Sequence, residues 1–178
     1  MKSLNFNNVY INDYYTMLAK TENNPIVSKK VNFVYDDYYY NDKSLEETES
    51  WFQQVVIDGL LKNQNKKESD IDLLIGGDLN NQLLASNFNA SLYNIPFLGV
   101  FSACASFIEG LIISSSLIEH NLISNSIVVT SSHNLVNEKQ FRFPIEYGCI
   151  RKKVNSFSAT GAAGALISRK KSKLKIVN

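Results

Sequence analysis

The sequence predicts an α/β fold built on a mostly parallel, five-stranded sheet. Short apolar runs alternate along the chain with longer segments of helical periodicity, an order that is typical of parallel α/β layers. A hydrophobic content of 44% and a charged content of 20% in 178 residues are enough for one domain with a real core. The order of elements and the composition together indicate this fold class.

Residues 1–43 carry a weak structural signal. Val9–Ile11 is predicted to form one short strand, and the polarity beyond it is mixed. The run Tyr38–Tyr40 is interpreted as a loop that packs its rings on the core. A contact with a partner protein is the alternative, because tyrosine is favoured at interfaces.

Three helices are predicted after this segment. The first covers residues 44–63, where Ser44 and Glu47 have the spacing of a capping box and apolar residues recur at helical intervals. The second covers residues 80–93. The third, residues 106–121, is mostly apolar and is therefore expected to lie inside the molecule.

The five strands are predicted where short apolar runs are bounded by turn residues. They are residues 71–75, 96–103, 126–130, 156–168 and 174–177. The fourth is rich in Gly and Ala, which indicates close approach between backbones. Gly76 and Gly77 end the first strand, but the third glycine of a dinucleotide-binding fingerprint is missing.

Charge and cysteine content exclude several classes of protein. Eighteen basic and seventeen acidic side chains give a net charge of +1, which argues against nucleic acid as a partner. Two cysteines, Cys104 and Cys149, cannot form a disulfide framework and favour a reducing compartment. No secretory signal is visible, and the longest apolar stretch, residues 107–118, is too short to span a bilayer. We therefore expect a soluble, intracellular protein.

Cys104 has the strongest chemical signal. It stands between a predicted buried strand and a predicted buried helix, so its side chain is expected near the helix N-terminus. Unpaired N–H groups and the helix dipole favour an anion there, and a thiol in such a place is a candidate nucleophile. The small residues Ser102 to Ser106 would let a ligand approach closely. The alternative is a small apolar core cysteine.

Two other polar residues follow predicted strands, where α/β folds place their ligands. Asp78 is either a ligand-binding residue or a helix-capping aspartate in a tight turn. His133 is either a ligand-binding residue or a structural histidine. His120 ends the apolar helix, where a cation suits the dipole, and is interpreted as structural. Because Cys and His do not have metal-ligand spacing, no metal site and no cofactor are expected.

Four groups of residues, taken in order, match one family. They are Gly77-Asp78-Leu79 with Asn81-Gln82 and Asn87-Phe88; Ala103-Cys104 with Glu109-Gly110; Thr130 to Asn134 with Glu138 to Pro144 and Glu146-Tyr147-Gly148; and Thr160-Gly161 with the small residues to Ser168. The third group is the most specific. Together they resemble the stage V sporulation protein AD family, thiolase-fold proteins of endospore-forming bacteria. The resemblance covers residues 44–178 and is weak over residues 1–43.

The resemblance implies a thiolase-like N-terminal half. Thiolase folds contain two similar α/β halves around a pseudo-twofold axis, and family members are about twice as long as this chain. The C-terminal half, which completes the catalytic site in thiolases, is expected to be absent. Cys104 matches the position of the thiolase nucleophile, and His133 matches the histidine of the family's Ser-Ser-His-Asn segment. Ser102 stands where the family leads us to expect glycine.

The family acts in loading dipicolinic acid into the developing spore, so the resemblance implies a non-catalytic protein that binds this ligand, free or as its calcium chelate. The expected ligand-binding residues are Cys104, His133, Asn134, Arg142 and Asp78. Other expected partners are sporulation transport proteins at the spore inner membrane and a second copy of the chain. The expected location is the cytoplasm or the periphery of that membrane.

Two other functions remain open. One is a thiolase-like or ketoacyl-synthase-like acyltransferase that uses Cys104 as its nucleophile. The other is a non-catalytic interaction module that pairs with a separate second half.

Overall fold

The central sheet of the computed structural model contains seven strands within the residues that it describes, which are 3–19, 29–41, 43–141 and 158–177. The strands are β1 (Val9–Ala19), β2 (Phe33–Tyr35), β3 (Leu73–Gly77), β4 (Phe97–Gly99), β5 (Asn125–Ser132), β6 (Gly161–Ser168) and β7 (Leu174–Ile176). They lie in the order β2-β1-β6-β5-β3-β4, and β7 also pairs with β1.

The α/β class is confirmed, but the sheet is mixed and larger than predicted. β3 pairs in parallel with β4 and β5, and β1 pairs in parallel with β2. β6 runs antiparallel to both β1 and β5, and β7 runs antiparallel to β1, so three of the six pairings in the described chain are antiparallel. Strand periodicity shows which face a residue takes, whereas strand direction depends on the partner, and for this reason the mostly parallel, five-stranded expectation is wrong.

The segment before residue 44 contributes more to the sheet than one short strand. β1 is 11 residues long and makes contact with β2, β6 and β7. Because its sequence includes Asn12, Asp13 and several tyrosines, it is not a continuous apolar run and was predicted only in part. The tyrosine run lies in a loop where the Tyr40 ring stacks on Trp51 at 3.9 Å between centroids, as the core-packing interpretation predicts, whereas Tyr39 is 47% exposed.

Four helices occur in the described residues. They are α1 (Leu45–Asn63), α2 (Leu84–Ala90), α3 (Ser106–Glu119) and α4 (Asn134–Phe141). The capping box of α1 is confirmed: Ser44 Oγ accepts from the Glu47 N–H, and the Glu47 carboxylate accepts from the Ser44 N–H. α2 is shorter than predicted because Gln82 and Leu83 have φ values of 59° and 54°, which are not compatible with an α-helix. α4 was not predicted.

The core covers both faces of the sheet. Leu74 and Ile75 are neighbours on β3 but belong to different clusters, because successive side chains of a strand point to opposite faces. α1 covers one face with Phe52, Val56, Ile57 and Leu60, all fully buried. α3 covers the other face, where Ile118 is fully buried. The two helical layers hold the strand ends in place.

The apolar helix α3 is only partly inside the molecule, contrary to expectation. Its inner face is close-packed, since a Cβ on Gly110 would lie 2.6 Å from Val128 Cγ1. Its outer face carries Ile108 and Ile112, which are 56% and 42% exposed, because no described layer covers it. The strand predicted at residues 96–103 is short and lies at the sheet edge, where Leu98 is exposed. None of the described helices is long and apolar enough to cross a membrane.

Candidate functional site

A cavity of about 420 Å³ opens at the carboxyl ends of β3 and β5. These strands are parallel neighbours, so their carboxyl ends meet at one edge of the sheet, where α/β folds bind ligands. The turn before α3, part of β1 and the start of β6 complete the walls. The volume is within the range of small-molecule sites. Cys104 and Asp78 both line this cavity.

Cys104 is exposed, so the core-cysteine alternative is wrong. It lies in a single 3₁₀ turn, Ala103–Ala105, directly before α3, and Ala103 has a left-handed φ of 47°. The Ser102 N–H donates to Ser106 Oγ at 2.9 Å and so holds the turn against the start of the helix. The residue before α3 is Ala105, and no side chain among the described residues caps the N–H groups of the first turn.

Gly77 allows the Cys104 turn to approach the end of β3. A Cβ at this position would lie 2.9 Å from both Ser106 Cβ and the Val100 carbonyl oxygen, closer than side chains normally pack. The glycine therefore brings the first residue of α3 against the last residue of β3. Both Gly77 and Ser106 line the cavity.

Asp78 is buried, and its carboxylate is held by the turn that follows β3. Oδ1 accepts from the Asn80 N–H at 2.8 Å, while Oδ2 accepts from the N–H and the hydroxyl of Ser86 at 2.7 and 2.5 Å. Ser86 lies in the first turn of α2, so the capping interpretation describes this residue. Asp78 adds negative charge to the cavity wall without offering a donor.

His133 is fully buried and is not among the residues that line the cavity. Its Nε2 lies 3.0 Å from the Tyr38 carbonyl oxygen, and its ring stacks on Phe52 at 6.0 Å between centroids. Burial lowers the pKa of His133, so the ring is neutral at ordinary pH. His133 therefore lies behind the cavity wall, and its bond to the Tyr38 carbonyl holds the loop that carries Tyr38–Tyr40.

Asn134 also supports the cavity wall from behind, through its side chain and its backbone. Its Nδ2 donates to the Ser158 carbonyl oxygen at 3.0 Å, and its N–H donates to Thr160 Oγ1 at 3.1 Å. These bonds hold the segment that leads into β6 and lines the cavity. Arg142 and Cys149 lie outside the described residues. Among those that are described, no group of three or more His, Cys, Asp or Glu side chains is placed to hold a metal ion.

The prediction missed a buried carboxyl group, Glu49, directly behind the cavity. Glu49 is fully buried; Oε1 lies 2.9 Å from Ser131 Oγ, and Oε2 accepts from Asn80 Nδ2 at 3.0 Å. Burial and then the nearby charge of Asp78 raise the pKa of Glu49 to about 8. The group is therefore mainly a neutral acid at pH 7.

Gln53 joins Glu49 in one polar network on the inner face of α1. Its Nε2 donates to Ser131 Oγ at 2.8 Å and to Ser86 Oγ at 2.9 Å. Glu49 and Gln53 are four residues apart and so lie on the same helix face, which also carries the buried Phe52 and Val56. The sequence signal for this network was that Glu49 and Gln53 lie at the helical spacing of the apolar residues Leu45, Phe52 and Val56.

The family model described as stage V sporulation protein AD matches residues 2–178. The chain belongs to this family. Stage V sporulation protein AD of Bacillus subtilis (strain 168) is 31% identical over 170 residues, which are 96% of this chain and 50% of that protein. The chain thus spans about half the length of this curated relative.

Solved structures with the same fold include a 3-oxoacyl-[acyl-carrier-protein] synthase and OleA. 3-Oxoacyl-[acyl-carrier-protein] synthase III from Aquifex aeolicus VF5 aligns with a TM-score of 0.64 and 16% identity, over 93% of this chain and 55% of that one. A structure of OleA from Xanthomonas campestris aligns with a TM-score of 0.59 and 16% identity, over 94% and 60%. At this identity the likeness concerns the fold alone, and it confirms the predicted thiolase-like fold.

Proposed function

We propose that this member of the sporulation family binds dipicolinic acid in the cavity beside Cys104 and supports its uptake into the developing spore. The observation that carries the proposal is the cavity itself, because a cavity of small-molecule size opens at the carboxyl ends of parallel strands, against a helix N-terminus that no described side chain caps. Membership of the stage V family supports the role in sporulation. The proposed location is the cytoplasm or the periphery of the spore inner membrane, next to other sporulation transport proteins.

The cavity offers two kinds of contact to a planar, doubly anionic aromatic acid, although the Asp78 carboxylate in its wall opposes the negative charge of that ligand. Apolar side chains such as Met17 and Phe107 can contact the ring, and the N–H groups that open α3 can donate to a carboxylate. No lysine or arginine occurs among the described residues that line the cavity. Affinity is therefore expected to be weak, about millimolar to tens of micromolar, because a few hydrogen bonds must exceed the entropy cost of binding.

Acyl transfer is the second candidate, since Cys104 is exposed in a fold shared with synthases. A thiol nucleophile needs an adjacent base and an oxyanion hole. His133, the base suggested by the sequence, is buried and bonded to the Tyr38 carbonyl. This geometry favours binding without catalysis by this chain.

The proposal includes association with a second protein unit, a further copy of the chain being the simplest one. Leu98, Phe101, Ile108 and Ile112 all expose apolar side chains near β4 and α3. Exposed apolar patches mark contact surfaces, and these four side chains are candidates for such a patch. An interaction module that pairs with a separate second half would use the same surface.

Calorimetric titration of the chain with dipicolinate, with and without calcium, tests the proposed ligand. Cys104→Leu should abolish binding by filling the cavity. Leu122→Ala, which changes a side chain that is 68% exposed and does not line the cavity, should leave binding unchanged and serves as the control. Absence of binding by the wild type would refute the proposal, and unchanged affinity in Cys104→Leu would place the ligand elsewhere.

A further inference from the structure

Ser131 belongs to the cavity wall and is bonded through its hydroxyl to the buried Glu49. Ser131 lines the cavity and is 8% exposed. Its Oγ accepts from Gln53 Nε2 at 2.8 Å, which occupies one lone pair, and it lies 2.9 Å from Glu49 Oε1. One lone pair and the hydroxyl proton remain, and the protonation state of Glu49 decides how they are used.

When Glu49 is ionised, it can only accept, so Ser131 must donate its proton to Oε1. When Glu49 is protonated on Oε1, it can donate to the second lone pair of Ser131 Oγ. The hydroxyl proton then no longer bonds to Glu49 and takes the one remaining position on Oγ, where it can be donated to another acceptor. Asn80 Nδ2 donates to Oε2 in both states, so the exchange involves only Oε1.

We propose that Glu49 and Ser131 form a proton-linked donor, in which the acid form of Glu49 directs the Ser131 hydroxyl to a carboxylate oxygen of a ligand in the cavity. This inference rests on the proposed function, because it requires an anionic ligand at this site. Where Glu49 starts ionised, ligand binding takes up one proton from solvent, which forms the O–H bond of the Glu49 acid. No other covalent bond is made or broken.

The charges around the pair favour this coupling. Asp78 on the loop after β3 and Glu46 on α1 both oppose ionisation of Glu49, and no described cation offsets them. His133, which follows β5, is kept neutral by burial. An anionic ligand adds more negative charge beside Ser131, so its binding further favours the acid form of Glu49.

Titration of the free chain tests the pair without any ligand. The Glu49 carboxyl carbon is followed by NMR in the wild type, with Glu49→Gln used to assign the signal. The pH midpoint of the Glu49 titration should lie far above that of an ordinary glutamate. Ser131→Ala should raise it further, because the hydroxyl stabilises the carboxylate. The inference would be overturned if the Glu49 carboxyl titrated with the midpoint of an ordinary glutamate, or if Ser131→Ala left the midpoint unchanged.

Calorimetry with dipicolinate at pH 6.5 and pH 9 tests the ligand step. With a Glu49 pKa of about 8, the acid fraction falls about tenfold over this range, so wild-type affinity should fall about tenfold. Titrations in buffers of different ionisation enthalpy should show proton uptake at pH 9. Glu49→Gln mimics the acid form and should show neither effect. The wild-type pH ratio should persist in a Cys104→Ser background, which removes the thiol from the same cavity.

The outcomes separate this inference from the proposed function. If the wild type binds dipicolinate equally at both pH values, or without proton uptake at pH 9, the proton-linked donor is wrong and the binding function stands. If the wild type does not bind at either pH, the proposed function is wrong and the ligand step is wrong with it. The titration of the free chain then still decides whether Glu49 and Ser131 are coupled.

Discussion

Replacement of Glu49 by Gln should make the chain more stable at pH 8 while changing its stability little at pH 5. Glu49 is fully buried and has no described cation as a partner. Gln can keep both contacts of the acid form, since its oxygen accepts from Asn80 Nδ2 and its amide donates to Ser131 Oγ. The substitution therefore removes an ionisable group without removing the network.

The size of the effect follows from the two pKa values. The unfolded chain ionises Glu49 near pH 4.5, whereas the folded chain holds the proton to about pH 8. Between these values the unfolded state binds fewer protons, so stability falls as pH rises, and the contribution is constant above pH 8. One pH unit corresponds to about 1.4 kcal/mol, so from pH 5 to pH 8 the wild type should lose about 3 kcal/mol relative to Glu49→Gln.

Urea unfolding at pH 5 and pH 8, followed by Trp51 fluorescence and circular dichroism, measures this difference. Gln53→Ala is the matched control, because it damages the same network but leaves the acid in place. Its stability should be lower at both pH values by a similar amount. If wild type and Glu49→Gln have parallel pH profiles, Glu49 ionises freely in the folded chain and the reasoning about its burial is refuted.

Four further predictions address the cavity and its supports. Cys104 should be alkylated faster than Cys149 at pH 7, as measured by mass spectrometry of digests, because it lies exposed at a helix N-terminus; the reverse order would contradict its placement. Incubation with acyl-CoA thioesters should give no sustained thiolysis or condensation by the chain, and turnover above the blank would favour the acyltransferase alternative. His133→Ala should lower the free energy of unfolding by about 2–4 kcal/mol through loss of a buried ring, with little change in dipicolinate affinity. Relative to His133→Ala, the wild type should lose stability as pH falls below about 6.5, because the unfolded histidine takes up a proton there that the buried ring resists. Gly77→Ala should cost about 1–3 kcal/mol in urea unfolding, because its methyl group would press on the Val100 carbonyl and Ser106; an unchanged midpoint would show that the helix start can move away.

Local patterns determined much of the fold. The capping pair Ser44 and Glu47 and the helical spacing after it place α1 within one residue of its observed start. The apolar run that ends in Gly76-Gly77 overlaps β3, and the run at residues 126–130 lies inside β5. These elements depend on neighbours close in sequence, so the sequence alone is enough to find them. The same reasoning placed Cys104 at the junction of a strand and a helix, where it lies.

Only the tertiary structure decided what depends on contacts between distant segments. β6 runs antiparallel to both of its neighbours, β1 and β5. The periodicity within β6 does not encode which strands it pairs with or in which direction. His133 follows a strand end as expected, yet Phe52 and Tyr38, far away in sequence, bury it. Glu49 looks like an ordinary helical glutamate until Ser131 and Asn80 surround it and exclude water. Burial is set by the packing of remote residues, and a side chain's pKa and access to ligand follow from burial.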